Sequence, residues 1–146
     1  MEIKSVKTVI GNFNSIYSNI GLMRLEFIGD KASPYPKDKK LQHVLNIYFK
    51  NAKFEDLPFF DLKGSAFHLK VWHALCLIPS GSTESYKSLA KKIGSPGASR
   101  AVGTACKLNP IPLFIPCHRV IKHDGSIGQF GLGVKIKTFL LEMELL

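Results

Sequence analysis

Residues 85–110 read SYKSLAKKIGSPGASRAVGTACKLNP, and the punctuation of this stretch decides the fold class. Tyr86, Leu89, Ala90 and Ile93 recur at three- and four-residue spacing, one face of a helix starting near Thr83. Gly94-Ser95-Pro96-Gly97 is a tight turn. A further helix runs from about Ala98 to Leu108 and stops before Asn109-Pro110, since proline pushes its neighbour out of helical space. Two short helices about a glycine-containing turn outline a helix-turn-helix, although a helical hairpin with no nucleic-acid role gives the same pattern. The second helix is built of small residues: Ala98, Ser99, Ala101, Gly103, Thr104 and Ala105. Gly inside a helix costs about 1 kcal/mol relative to Ala, a cost consistent with close approach of another surface, either a packed helix or the floor of a DNA groove. Arg100 projects alone from this small-residue surface, as a finger or as an ordinary surface arginine.

Toward the C-terminus comes Ile111-Pro112-Leu113-Phe114-Ile115-Pro116-Cys117-His118-Arg119-Val120, an apolar run whose prolines hold the backbone. A final helix from Val134 to about Leu145 is expected to bury Ile136, Phe139, Leu140 and Met143. Toward the N-terminus, Ser65 caps a helix with Phe67, Val71, Leu75 and Ile78 on one stripe, ended by Pro79 and Gly81. Pro58 to Gly64 reads as a linker. Before it, Lys37–Lys50 reads as a helix with Leu41, Val44, Leu45 and Tyr48 on one face, after a rigid Ser33-Pro34-Tyr35-Pro36 loop. Residues 5–28 read as strands carrying Val6, Val9, Ile10, Ile16, Tyr17, Leu22, Leu25, Phe27 and Ile28. Gly11, Asn12, Asn14, Asn19 and Gly21 serve as their turns. The expected class is α+β: a small antiparallel sheet with a helix over 1–59, then a helical domain over 60–146.

A chain of 146 residues with 45% hydrophobic and 21% charged residues has the balance of a folded protein. No apolar run reaches the ~18–20 residues of a membrane span, and the N-terminus lacks a secretory pattern, so a cytoplasmic protein, or a nuclear one in a eukaryote, is expected. Three cysteines fit a reducing compartment better than a disulfide scaffold. The +9 net charge is uneven. Residues 1–62 hold nine basic and seven acidic groups, net +2, and residues 63–146 hold eleven and four, net +7. A negatively charged partner for the second part, or a solvated basic surface, accounts for this.

Cys117 beside His118 is the densest chemical signal. Apolar surroundings raise a thiol's pKa, so a reactive Cys117 needs an activator. His118 can accept its proton directly or through one water. Glu142 and Glu144 are candidates to orient the histidine, with Glu144 at the edge of the apolar face of the last helix. A core cysteine beside a structural histidine is the bland alternative. Cys76 and Cys106 fall on helix positions and read as small core residues, and the three cysteines lack zinc-ligand spacing, so no metal is expected.

The segment from Ser85 to Gly133, with Pro-Cys-His-Arg-Val at 116–120, Ser-Arg-Ala-Val-Gly at 99–103 and Asn-Pro-Ile-Pro at 109–112, strongly resembles the O6-alkylguanine-DNA alkyltransferases. The likeness covers about residues 60–146. It implies a winged helix-turn-helix domain there and a ribonuclease-H-like N-terminal domain. It further implies double-stranded DNA containing alkylated guanine as partner, a monomer, no cofactor, and irreversible single-turnover transfer of an alkyl group to Cys117. His118 and Glu144 would complete a proton relay. Asn109 would tie the recognition helix to the active-site turn, Arg100 would fill the gap in the base stack, and Tyr86 would help rotate the nucleotide and hydrogen-bond the base. Lys87, Ser95, Ala98, Ser99 and His123 would contact DNA. Val120, Phe130, Gly131 and Lys137 would frame the substrate pocket.

Extrusion of the nucleotide is required, because a thiol cannot reach a base edge inside a duplex. Two departures from the family pattern stand out: Phe130 replaces a common tyrosine, and Leu132 replaces a glycine and would narrow the pocket mouth. A non-catalytic binder of the same fold and a Cys-His acyl hydrolase are the competing functions. The first is disfavoured because such relatives lack the cysteine. The second is disfavoured because no oxyanion loop is evident and the basic surplus would go unexplained.

Overall fold

The N-terminal strands form an antiparallel meander of β1 (Glu2–Thr8), β2 (Gly11–Tyr17) and β3 (Leu22–Gly29), in that order across the sheet. The computed structural model describes residues 1–145. Two expectations shift here. Val9 and Ile10 are not strand residues but the hairpin turn, closed by Thr8 Oγ1, which donates to Gly11 O and accepts from Ile10 N. Gly11, Asn12 and Asn14 are not turn residues but part of the central strand. Asn14 is tolerated there because its amide is satisfied: it donates to Glu26 and accepts from Ser33.

Helix α1 (Lys39–Asn51) buries the expected Leu41, Val44, Leu45 and Tyr48. Asp38, only 2% exposed, joins helix to sheet. One of its oxygens caps the helix by accepting from Leu41 N, and the other accepts from the hydroxyls of Ser15 and Tyr17 on β2. Burial and this carboxylate push the Tyr17 hydroxyl's pKa well up, so it remains a donor. Residues after α1 return to the sheet: Leu22 N donates to Phe59 O, and Asp61 N donates to Leu22 O. The first compact unit therefore runs to Lys63, a few residues past the expected break at 59/60.

The second unit, from Gly64, carries α2 (Ala66–Cys76), α3 (Tyr86–Lys92), α4 (Ser99–Lys107) and α5 (Val134–Leu145). Ser65 caps α2 through His68 N, as expected, while Ile78 lies beyond the helix end but still in the core. Gly94, at φ +80°, ends α3 in the left-handed region that suits glycine. Val102 and Ala105 of α4 face the core, and Trp72 Nε1 donates to Ala105 O at 2.8 Å, locking α2 to α4. Thr83 does not open a helix: Glu84–Ser85 form β4, paired in parallel with β5 (Val120–Ile121). A two-residue strand in Thr-Glu-Ser has no periodicity to betray it.

In α5 the buried stripe is Lys137, Leu140 and Glu144, whereas Phe139 is exposed and Ile136 and Met143 are only half-buried. The expected apolar stripe is displaced because the charged residues find partners inside, described below. Truncating Asp38→Ala removes a cap and two charge-assisted hydrogen bonds, and should lower the stability of the N-terminal unit by about 3 kcal/mol, measured by urea unfolding.

Candidate active site

All ten residues from Ile111 to Val120 are buried, although only the last four adopt regular structure, a 3-10 turn at Cys117–Arg119 leading into β5 at Val120. Irregular backbone can be buried only if its polar groups are satisfied. Asn109 does much of this. Its Oδ1 accepts from Ile111 N at 2.9 Å, and its Nδ2 donates to Ile115 O at 2.6 Å and to Cys117 Sγ at 3.1 Å. Leu113, at φ +77°, holds a left-handed backbone that a leucine seldom adopts, a strain of about 1–3 kcal/mol kept in place by its surroundings.

Cys117 is 7% exposed. Burial pushes its thiol pKa up, while the Asn109 hydrogen bond and the Lys137 ammonium pull it down. Lys137 is fully buried, and its Nζ donates to Val120 O at 2.6 Å and Gln129 O at 3.1 Å. Burial lowers its pKa, and the Cys117 and Cys106 sulfurs act against that. The lysine thus fastens β5 and the following loop to α5 while setting a positive charge near the thiol.

Of the two glutamates considered, Glu144 is the one brought to the histidine; Glu142 is exposed. Glu144 Oε2 lies 2.9 Å from His118 Nε2. Arg119 grips the same carboxylate with Nε at 2.9 Å and Nη2 at 2.8 Å, and its Nη1 donates to Ile78 O at 2.6 Å. This bidentate geometry is the strongest form of such a pair. His118 Nδ1 is buried with no hydrogen-bond partner among the described residues, which leaves it as the ring nitrogen open to a proton. Phe130 sits edge-on to the imidazole at 6.2 Å between centroids.

A cavity of about 700 Å³ opens over the sulfur. Of the residues expected at the site, Tyr86, Lys87, Ser99, Arg100, Cys117, His123, Phe130 and Gly131 line it. Ser95, Ala98 and Leu132 do not, so the narrowing expected from Leu132 is not built into this wall. Val120 and Lys137 stand behind the wall, joined to each other. Sequence reasoning missed Gly103, Thr104, Cys106, Lys107, Lys122, Gly128 and Gln129. The small-residue helix was the available signal for the first two: a Cβ on Gly103 would meet only Tyr86, at 4.0 Å, so this face of α4 is open rather than packed under another helix. Cys106 lines the cavity and Cys76 is exposed, so neither is the core residue expected.

Tyr86 reaches the cavity because β4 pairs with β5, which sets the first residue of α3 beside the cysteine turn. Burial, followed by the two cavity sulfurs, raises its hydroxyl pKa to about 12, so it stays a donor at neutral pH. Gly128, at φ +75°, passes the Tyr86 ring where a Cβ would sit 3.6 Å away, a backbone that favours glycine. Lys87, Arg100, Lys107, Lys122 and His123 surround the opening with basic groups. Among the described residues no helix is long and apolar enough to cross a membrane.

Residues 66–146 match the family model described as 6-O-methylguanine DNA methyltransferase, DNA binding domain. A methylated-DNA–protein-cysteine methyltransferase from Methanosarcina barkeri is 43% identical over 137 residues, 85% of this chain and 84% of the relative. Among solved structures, Mycobacterium tuberculosis OGT in complex with DNA superposes with a TM-score of 0.88 at 34% identity, covering 99% of this chain and 93% of that one. Atl1 of S. pombe, in complex with damaged DNA containing O6-carboxymethylguanine, superposes with a TM-score of 0.51 at 33% identity, over 56% of this chain and 78% of that one.

Burial holds the His118 ring below its ordinary pKa of 6.5, with Glu144 opposing in part. The unfolded chain therefore binds the extra proton first, and stability present at neutral pH is lost as pH falls below about 6.5. Urea unfolding between about pH 5 and 8 should show that slope, and His118→Asn should flatten it.

Proposed function

The chain belongs to the 6-O-methylguanine DNA methyltransferase family, and from that membership we propose that it repairs DNA directly, moving an alkyl group from the guanine oxygen to its own Cys117. The observation that carries this reading is a buried thiol, hydrogen-bonded by Asn109 and approached by a lysine charge, at the base of a cavity ringed with basic groups. A guanine flipped from the duplex enters the cavity, at a cost of a few kcal/mol that is least for a badly paired lesion. The thiol proton leaves for His118 Nδ1 through one water, with the imidazolium held against Glu144. The thiolate attacks the alkyl carbon: the sulfur–carbon bond forms, the oxygen–carbon bond breaks, and the electron pair passes to the guanine. Tyr86, still protonated, donates to the ring as charge develops. The product is a thioether, stable to water, so each chain acts once.

Arg100, exposed at the start of α4, fills the place the nucleotide leaves, while Lys87, Ser95, Ala98, Ser99 and His123 meet the DNA around it. Gly131, Phe130 and Val120 frame the base, and Lys137 fixes their loop from behind. The second unit is read as a winged helix-turn-helix with α4 as recognition helix, and the sheet-and-helix unit as ribonuclease-H-like. The protein acts as a monomer wherever the DNA lies, in the cytoplasm or in a nucleus.

Mixing the protein with duplex DNA carrying methylated guanine should leave one methyl group per chain, on Cys117, in peptide mass spectrometry. An adduct on another residue defeats the assignment, and tight binding without any adduct favours a non-catalytic reader of damage. Arg100→Ala should slow repair of duplex by about tenfold or more while sparing reaction with free alkylguanine, since the finger acts on the stack and not on the thiol. Equal losses on both substrates overturn that role.

A further inference from the structure

Cys106 faces the same cavity as Cys117, and alkyl transfer gives it no task. Asn109 links the two closely. Its backbone N–H donates to Cys106 O at 3.2 Å, and its side chain donates to Cys117 Sγ at 3.1 Å. One residue therefore ties the backbone of one cysteine to the sulfur of the other. Lys137 interacts with both sulfurs and offsets the negative charge that two thiolates would bring. Among the described residues there is no cluster of three or more His, Cys, Asp or Glu groups able to hold a metal, which rules out a tetrahedral zinc arrangement at this pair. Two sulfurs without a third ligand suit a soft ion that accepts linear, two-coordinate binding.

We infer that Cys106 and Cys117 form a two-thiolate site for a soft, closed-shell cation of that kind. Two S–H bonds break, two sulfur–metal bonds form and two protons leave to solvent, with no change of oxidation state. The open cavity gives the ion access. Once it is bound, the ion stands in the cavity between the two sulfurs and draws charge from Cys117, so a loaded chain is closed to substrate. The inference needs only the two sulfurs and stands apart from the alkyl-transfer reading.

The test uses the full chain carrying Cys76→Ser, because exposed Cys76 would capture metal by itself. Mercuric ion is the probe, titrated against glutathione while free thiols are counted. Two thiols should disappear for each ion bound. With Cys106→Ser or Cys106→Ala added, one thiol should disappear per ion, and glutathione should strip the metal about tenfold more readily or better. Loss of a single thiol per ion with Cys106 intact, or equal resistance to glutathione with and without it, overturns the site. Neither result touches the methyl adduct on Cys117, which is read separately by mass.

Discussion

A single buried carboxylate organises the second unit. Glu144 sits at the end of α5 and holds a histidine and an arginine that are neighbours in sequence, while the arginine also reaches the backbone beyond α2. Charges out of water are expensive unless fully paired, and breaking such a cluster by removing one partner costs about 3–5 kcal/mol. The cluster therefore acts as a constraint: α5, the cysteine turn and the segment after α2 must meet in one arrangement for the carboxylate and the guanidinium to be accommodated, with the neutral imidazole as the third partner. The same arrangement turns the histidine so that one ring nitrogen is committed and the other is open.

The thiol is set by opposing influences of similar kind. Burial disfavours its ionised form, and an amide donor and an ammonium favour it. The side-chain donor and the ammonium are not sequence neighbours of the cysteine. Asn109 comes from the loop after α4 and Lys137 from α5, so the chemistry of one sulfur is assembled from distant stretches of chain. The buried lysine illustrates how a charged residue can occupy a core position: two carbonyls accept hydrogen bonds from its ammonium, and it fastens a loop in return.

Helix positions with plain punctuation were legible from residues alone. The spacing of Leu41, Val44, Leu45 and Tyr48 and the Ser65 cap are used by the folded chain as read, whereas Asp38, read inside the first helix, is its cap. The Cys117–His118 pair stood out as adjacent reactive groups in an apolar run, while Asn109 came from motif resemblance alone. What escaped reading did so for physical reasons. A strand of two residues has no alternation, so β4 and its placing of Tyr86 were invisible. The stripe of α5 was misjudged because hydrophobicity ranks Lys137 and Glu144 as surface residues, while tertiary partners bring them inside. Asn12 and Asn14 looked like turn formers because the donors and acceptors that satisfy them lie on β3 and in the loops after it.

The amide of Asn109 has one more consequence. Because that donor and the ammonium act on the sulfur only when their separate segments are docked, a nascent or partly melted chain carries an ordinary, sluggish mercaptan. Nucleophilicity at this atom is thus a gauge of tertiary integrity: a suicide reagent that can be spent only once is kept from discharging before its scaffold is complete.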